Sequence, residues 1–415
     1  MILGINSMGR IGKLTLWHHI ARKSFSGLVV NLGRDVGMSL ADVAHALEKD
    51  STYGRLSHFL YGHAGSHSVI ENINEQQGSM TVDGIPVQFL RSHRNPKEIQ
   101  WRDYGARLVV DCTGVFNDPT LSADAPGGAL RGHLEAGAEK VVLSAPFKIK
   151  TKGLSMPEDA VTTVMGINDQ IYDPTRHAVI SAASCTTTCL SFMIKPLLDR
   201  LGTESLLSAS MVTVHAATGS QNVLDGVPLA GALDLRKSRS ILNNIILTST
   251  GAAKALPLVI PEMGSVGFMA ESVRIPISTS SLTILTLNLQ SEGPDAGSHG
   301  INREMINNIY KEAALGPYQN YLVYSEEQNV SVDMIGFPKA ATVIEGLETH
   351  TRTAFTRLNP SKIPGLPPEV YELLKSTDIK VPVTQAVIYG WYDNELGSYT
   401  GILGDLLVSI SEKML

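Results

Sequence analysis

A short apolar strand that runs into a glycine-spaced turn and then a helix constrains this chain more than any other feature. Ile2–Asn6 reads as the strand. Gly4-Ile5-Asn6-Ser7-Met8-Gly9-Arg10-Ile11-Gly12 carries the turn, and Arg10–Arg22 reads as the helix, with Ile11, Leu14 and Trp17 at helical spacing. Glycines at such a crossover let the backbone approach a pyrophosphate, which then sits on the free N–H groups of the helix start. Alone, Gly9 and Gly12 would serve equally well for close helix–strand packing. What raises the turn is its place at the head of an alternating series, with further apolar runs at Leu28–Leu32, Arg107–Cys112 and Lys140–Ser144. Alternation of this kind predicts a mostly parallel sheet with helices on both faces.

A chain of 415 residues suits two domains rather than one core. Past about residue 205 the runs lengthen, as in Ser210–His215 and Leu282–Leu289. Leu282, Ile284 and Leu287, with Thr283 and Thr286 between them, read as a sheet with one covered face, so the second domain is expected to be α+β. A net charge of −6 argues against a dedicated nucleic-acid binder. No apolar run approaches the roughly 20 residues that span a bilayer, and Ser7, Gly9 and Arg10 interrupt the start before any signal-like stretch. Three cysteines, Cys112, Cys185 and Cys189, are too few for a disulfide framework. The expectation is a soluble enzyme of a reducing compartment. Phe147–Asp159 and the proline-rich Asn359–Pro368 read as loops or added segments.

The end of the second strand should bear an acid if the cofactor is NAD. The residues there are Asn31-Leu32-Gly33-Arg34-Asp35. Leu32 removes the carboxylate that would repel a 2′-phosphate, and Arg34 is placed to pair with one. NADP is therefore favoured over NAD, the alternative being that Arg34 merely pairs with Asp35 at the surface.

Small residues lead through Ser181-Ala182-Ala183-Ser184 into a helix whose apolar positions Leu190, Met193, Leu197 and Leu201 share a face. Cys185 falls in its first turn, where the helix dipole and exposed N–H groups favour a thiolate. Cys189, one turn on, reads as a small buried hydrophobe. His215 closes the strand Met211–His215, where its imidazolium would stabilise a thiolate and its N–H would bond a developing oxyanion.

The run Ser184-Cys185-Thr186-Thr187-Thr188-Cys189-Leu190 is similar to the active-site motif of phosphorylating glyceraldehyde-3-phosphate dehydrogenases. So are Thr213-Val214-His215-Ala216-Ala217-Thr218, Ser249-Thr250-Gly251-Ala252-Ala253-Lys254 and Trp391-Tyr392-Asp393-Asn394-Glu395. Asp50-Ser51-Thr52-Tyr53-Gly54, Thr113-Gly114-Val115-Phe116, Ser144-Ala145-Pro146 and Val273-Arg274-Ile275-Pro276 extend the likeness in the family's order over nearly the whole chain. The resemblance implies Cys185 as nucleophile and His215 as acid–base partner. It implies Arg274 and Thr218 at the substrate phosphate, and Ser184, Thr186, Thr250, Gly251 and Arg239 at inorganic phosphate. For the dinucleotide it implies the turn Ser7, Gly9, Arg10, Ile11 and Gly12, then Leu32, Arg34, Thr113, Gly114 and Ser144, with Asn394 orienting the nicotinamide carboxamide. No metal site is expected.

Departures from the family pattern cluster in the cofactor half. Ser7 stands for a glycine and Leu32 for the aspartate of NAD-specific members. Thr188 replaces an asparagine, Asn222 a lysine, and Ser398-Tyr399 reverses the usual order. Extra length falls near 147–159 and 347–380. The expected architecture is an α/β Rossmann dinucleotide-binding domain, residues 1–184, and an α+β catalytic domain with a mostly antiparallel sheet, residues 185–397. A terminal helix, Tyr399–Leu415, returns to the first domain. The implied reaction is oxidative phosphorylation of glyceraldehyde 3-phosphate in the cytoplasm, by a homotetramer with Gly219–Asn244 as its inter-subunit loop. Small-molecule substrate and inorganic phosphate are the expected partners, with neither nucleic acid nor membrane. The alternatives are an erythrose-4-phosphate dehydrogenase that releases its product to water, and a non-catalytic paralogue.

Overall fold

The computed structural model describes residues 1–65, 67–292, 300–375 and 378–414. Its first sheet has nine strands, in the spatial order Ala160–Thr162, Val179–Ser181, Lys140–Leu143, Ala106–Asp111, Ile2–Asn6, Gly27–Asn31, Ile85–Leu90, Ser79–Val82 and Ile70–Asn74. Seven are parallel, and the last two turn antiparallel at one edge. Parallel strands need cover on both faces. Leu28 and Val30 pack with the helix Arg10–Arg22 and its Leu14 and Trp17, while Val29 packs on the opposite side with Trp101 and Val109. The expected doubly wound Rossmann sheet is present, with strand ends within a residue or two of those read from the sequence. The order reverses at Ile2–Asn6, between Gly27–Asn31 and Ala106–Asp111. A crevice therefore opens at the carboxyl ends of these three strands.

The second sheet is built on four long strands. Gly267–Ile275 runs parallel to Leu206–Ala216, which pairs antiparallel with Ser281–Gln290, which pairs antiparallel with Ile379–Tyr392. Five of its seven pairings are antiparallel. The helix Cys185–Leu201 covers one face with Leu190, Met193 and Leu197.

The face assignment for Leu282–Leu289 needs correction. The covered side carries Ser281, Thr283, Leu285, Leu287 and Leu289, whereas Leu282, Ile284 and Thr286 lie half-buried on the other side. Aliphatic residues occupy both faces, and the buried Thr283 has its hydroxyl satisfied by the Cys189 thiol, which donates to it at 3.7 Å. The open face continues as Val212, Met269, Tyr389 and Trp391.

The two longer segments are structured differently. Residues 147–159 form a loop without strand or helix, yet it is pinned: Arg131 makes two bonds to Asp159 at 2.7 and 2.8 Å, and the Lys150 amide donates to Asp118 at 2.9 Å. Within 347–380, His350–Leu358 pairs antiparallel with residues 379–387 as an arm extending the sheet, and Pro368–Leu374 is helical. Residues 376 and 377 of that segment lie outside the described residues, as does Leu415 of the expected terminal helix. That helix runs Gly401–Glu412 after a wide turn over Leu396–Thr400. It returns to the first sheet, with Leu403, Leu406, Leu407 and Ile410 in the same core as Trp17 and with Arg22 paired to Asp405 at 2.8 Å.

The halves are tied at the end of strand Ile379–Tyr392. The buried Asp393 carboxylate accepts from Tyr53 of the first half at 2.7 Å, from Thr279 at 2.9 Å, and from the amides of Gly336, Glu395 and Gly397. A hydrogen bond to a charged group contributes about 1.5–3 kcal/mol. Tyr53→Phe is expected to lower unfolding stability by about that amount, read as a lower urea midpoint at unchanged slope. An unmoved midpoint would show that the tie is redundant.

Candidate active site

The glycine turn explains itself sterically. A Cβ on Gly12 would lie 1.9 Å from the Ser7 carbonyl oxygen, so no other residue fits that place in the helix. Ser7 sits at φ +86°, a conformation that costs a non-glycine residue about 1–2 kcal/mol. Two bonds offset the strain: its amide donates to Asn31 at 2.8 Å, and its hydroxyl accepts from the Gly9 amide at 3.2 Å. The helix then begins with no side-chain cap and no acid in its first turn, leaving the amides of Arg10, Ile11 and Gly12 without intrahelical acceptors. A cradle that excludes a Cβ, below an uncapped helix start, fits a pyrophosphate. The Arg10 side chain does not face this cradle. It bonds Glu395 and Asp50, and Lys13 reaches Asp50 at 2.7 Å. Burial raises the Asp50 carboxyl, but Lys13, the Thr52 and Tyr53 amides and Arg10 more than offset it, to about 2.

An open cleft of about 660 Å³ lies along the strand ends, lined among others by Ser7, Gly9, Leu32, Arg34, Arg94 and Thr113. Arg34 makes no ion pair among the described residues, so the surface pairing with Asp35 is not what occupies it. Gly33, at φ +66°, turns the chain at this point, and its carbonyl accepts from Arg94 Nε at 3.3 Å. Arg94 was not indicated by the sequence. It follows Ile85–Leu90, the parallel neighbour of the second strand, and that adjacency was the available signal. Thr113 donates to the buried Asp111 at 2.6 Å, Gly114 lies at φ +66°, and the Ser144 amide bonds the Asp111 carbonyl. Asp111 belongs to a buried network with Asn6 (2.8 Å) and His133 (3.0 Å), the latter also bonded by Trp101 at 2.9 Å. Asn394 is buried, its Oδ1 accepting from Ser281 at 3.0 Å, which fixes its amide plane.

The nucleophile candidate is positioned by a strained turn. Ala183, fully buried at φ +53°, follows strand Val179–Ser181, and Ser184 caps the helix by accepting from the Thr187 amide at 3.2 Å. Tyr399 donates to the Ala183 carbonyl at 3.2 Å, so the terminal segment holds this turn. Cys185 Sγ lies 3.5 Å from His215 Nε2. Cys189 is fully buried and its thiol is pushed up to about 12 by burial; burial likewise pushes Cys112 up to about 12.

Burial acts against the thiolate–imidazolium pair expected from the sequence. Burial pushes the Cys185 thiol up, against an opposing pull from Arg274 and Thr186. Burial, and then the neighbouring Arg274, lower His215 to about 3.

The remaining phosphate candidates are only partly brought together. Arg274 Nη1 bonds His215 Nδ1 and the Ala216 carbonyl. The Thr186 hydroxyl is taken by Tyr392 at 3.0 Å. Thr218 bonds Gln221 and Ser220, and Thr250 accepts from the Ala252 amide at the next helix start, beside Gly251. Arg239 is exposed and pairs with Asp225 at 3.1 Å, away from Cys185 in bonding. Among the described residues no group of three His, Cys, Asp or Glu side chains converges as a metal site, and no helix is long and apolar enough to cross a membrane.

The steric contrast between two turn glycines is testable. Gly12→Ala is expected to cost about 3 kcal/mol or more of stability because backbone must move, while Gly9→Ala meets only Ser7 Oγ at 3.5 Å and should leave stability nearly unchanged. Equal urea midpoints for the two variants would refute the steric account.

Comparison with known proteins shows the family. The family described as glyceraldehyde 3-phosphate dehydrogenase, NAD binding domain, matches residues 1–119, and its C-terminal domain matches residues 184–359. Glyceraldehyde-3-phosphate dehydrogenase 2 of Streptomyces arenae is 33% identical over 413 residues, covering 99% of each chain. The glyceraldehyde-3-phosphate dehydrogenase of Streptomyces coelicolor is 33% identical over 414 residues, again 99% of each. Glyceraldehyde-3-phosphate dehydrogenase 2 of Bacillus subtilis is 33% identical over 413 residues, 99% of this chain and 97% of that one. Matched in both halves and over almost its whole length, the chain belongs to the glyceraldehyde-3-phosphate dehydrogenase family of oxidoreductases.

Proposed function

We propose that this protein oxidises glyceraldehyde 3-phosphate to 1,3-bisphosphoglycerate through a thioester on Cys185. The observation that carries this reading is Cys185 Sγ at a helix start, 3.5 Å from His215 Nε2, with the cationic Arg274 beside it. Sγ attacks the aldehyde carbon as His215 takes the thiol proton and returns it to the forming oxyanion, giving a thiohemiacetal. His215 then removes the hydroxyl proton as the carbon gives up its hydride, leaving the thioester. Inorganic phosphate attacks the acyl carbon, and the thiolate leaves. When bound, the dinucleotide supplies the hydride acceptor. The Arg10, Ile11 and Gly12 amides would hold its pyrophosphate, Thr113, Gly114 and Ser144 would line its path, and Asn394 would orient the nicotinamide. Arg274 and Thr218 would take the substrate phosphoryl group, and Ser184, Thr186, Thr250, Gly251 and Arg239 inorganic phosphate, Arg239 after leaving Asp225.

In this reading residues 1–184 with 398–415 form the dinucleotide-binding unit and 185–397 the catalytic one. The enzyme works in the cytoplasm, where its three unpaired cysteines stay reduced. The homotetramer is supported by two apolar surfaces: the open sheet face at Val212 and Met269, and the loop Gly219–Asn244, where Val227, Leu229 and Leu233 are exposed.

Cys185→Ser should abolish aldehyde- and phosphate-dependent reduction of dinucleotide while leaving dinucleotide binding intact. Turnover that persists in this variant, followed by absorbance of the reduced nicotinamide, would overturn the covalent route. Reduction without a need for phosphate would instead favour release of the acyl group to water.

NADP is favoured over NAD because Leu32 offers no carboxylate at the ribose end of the cleft, while Arg34 and Arg94 both line it. A charge-assisted pair with a 2′-phosphate contributes about 1.5–3 kcal/mol, or tenfold and more in preference. Arg34→Ala is expected to lower kcat/KM for NADP by about tenfold and leave NAD unchanged, and Leu32→Asp to shift preference towards NAD. Equal losses with both dinucleotides would refute a 2′-phosphate site.

A further inference from the structure

Beneath the cleft of the first sheet, Asn6, Asn31 and Asp111 stand at the carboxyl ends of three adjacent parallel strands, and all three are buried. They form one hydrogen-bonded row across the point where the strand order reverses. Asp111 Oδ1 accepts from the Thr113 amide at 3.0 Å and from its hydroxyl at 2.6 Å. Asp111 Oδ2 accepts from Asn6 Nδ2 at 2.8 Å and from His133 Nε2 at 3.0 Å. Asn6 Oδ1 accepts from Asn31 Nδ2 at 2.9 Å, and Asn31 Oδ1 accepts from the Gly33 amide at 3.2 Å. One end of the row therefore holds the turn at Thr113 and the other the turn at Gly33. Both turns line the cleft.

His133 enters this row from outside the three strands, on the short helical turn Gly132–Glu135, and is fully buried. Trp101 Nε1 donates to His133 Nδ1 at 2.9 Å. An indole N–H can only donate. Nδ1 is therefore the acceptor, and the ring proton sits on Nε2, aimed at Asp111. Asn6 Nδ2 and His133 Nε2 lie 3.5 Å apart because both donate to the same oxygen. The indole is itself held in place, buried against the first strand, where a Cβ on Gly4 would meet its ring at 3.0 Å. The helical turn is held too, since a Cβ on Gly132 would come within 2.7 Å of the Lys97 amide nitrogen. An ionised carboxylate offers about four lone-pair sites. Asp111 has a donor for each, and among the described residues no lysine or arginine pairs with it. A buried carboxylate without a cation is stable only while those sites are filled. Without His133, one of them is open.

We propose that His133, oriented by Trp101, is a positioning residue for the dinucleotide, resting on the reading of this cleft as the dinucleotide site. By filling the last site on Asp111 it fixes the Thr113 and Gly33 turns, at the two ends of the row, before the ligand arrives. Fully buried, His133 touches no ligand itself. Its effect passes through Asp111 to Thr113 on one side, and through Asn6 and Asn31 to Gly33 on the other. Each link has one direction, because the row ends in groups of fixed role: an indole N–H, a carboxylate and a backbone amide. A cleft whose walls are set in advance loses less freedom on binding, and that saving appears as affinity.

The test pairs amide hydrogen exchange, read by mass spectrometry, with equilibrium titration of NAD and NADP, on the full-length protein. In the ligand-free protein His133→Leu should speed exchange at the Gly33 and Thr113 turns together, although they are far apart in sequence, and leave the helix Cys185–Leu201 at its wild-type rate. The same variant should raise Kd and KM for both dinucleotides by about tenfold, the order of a lost hydrogen bond to a charged group, with kcat at saturating dinucleotide unchanged. His133→Gln has an amide that can donate to Asp111 and accept from Trp101, and it should restore both exchange and affinity. Trp101→Phe leaves His133 without its orienting donor and should weaken affinity as His133→Leu does. A merely structural His133 would lower the urea midpoint of these variants and leave Kd of the folded protein unmoved, which would overturn the proposal. Exchange that quickens at one turn only, or a glutamine variant as impaired as the leucine one, overturns it as well. If His133→Leu does not fold, a folded Trp101→Phe with wild-type Kd is enough to overturn it. A wild-type protein that binds neither dinucleotide, yet shows the coupled exchange, overturns the reading of the cleft and supports the positioning role of His133.

Discussion

Five donors converge on one buried carboxylate, Asp393, and the alignment of the two halves of the molecule depends on it. Its partners come from distant parts of the chain: Tyr53 from the first half, Thr279 and Gly336 from the second, and two amides of the turn that leads to the terminal helix. With Asp393 fixed, its neighbours are fixed as well. Asn394 is held against Ser281, and Glu395 receives Arg10 from the first helix. A carboxylate buried without a cation is unfavourable unless its lone pairs are filled, so each donor lost is costly. Such a centre contributes more to specificity of alignment than to net stability. It sets the buried Asn394 amide in register with a thiol on another element.

Local punctuation made much of the fold legible in the sequence. Ile2–Asn6 and Arg10–Arg22 have the ends read from the residues because the glycine turn between them admits one geometry. Cys185 and Ser184 were legible for the same reason, at a helix start. Ser281–Gln290 was misread because aliphatic residues stand on both of its faces, one buried and one open, and periodicity alone does not rank them. Arg94 was missed because its place beside Gly33 depends on which strand neighbours the second, a matter of topology rather than spacing. Asp50, Tyr53, Asp393 and Glu395 lay inside recognised motifs, yet their common purpose emerges only when the chain is folded.

The segments 147–159 and 347–380 illustrate how the fold holds long connections between its elements. The loop 147–159 is anchored by Arg131–Asp159 on the first half. The arm His350–Leu358 pairs with residues 379–387 of the strand whose far end leads to Asp393 and Asn394. At about 3.3 Å per residue, the middle of the arm lies roughly 35 Å along that strand from the site. Sheet growth at one end is therefore mechanically separate from chemistry at the other.

The same economy of separation operates electrostatically near Cys185. A helix start exerts a fixed field, present whether or not a ligand is bound, and worth a pKa unit or so at most. Burial opposes it here by disfavouring the charged thiolate. Arg274 and His215 sit side by side because two strands are parallel and in one particular register; a shift of that register by one residue would point one of them to the open face of the sheet. The surroundings of Cys185 are accordingly set by strand pairing in the second sheet, as much as by the helix that carries it.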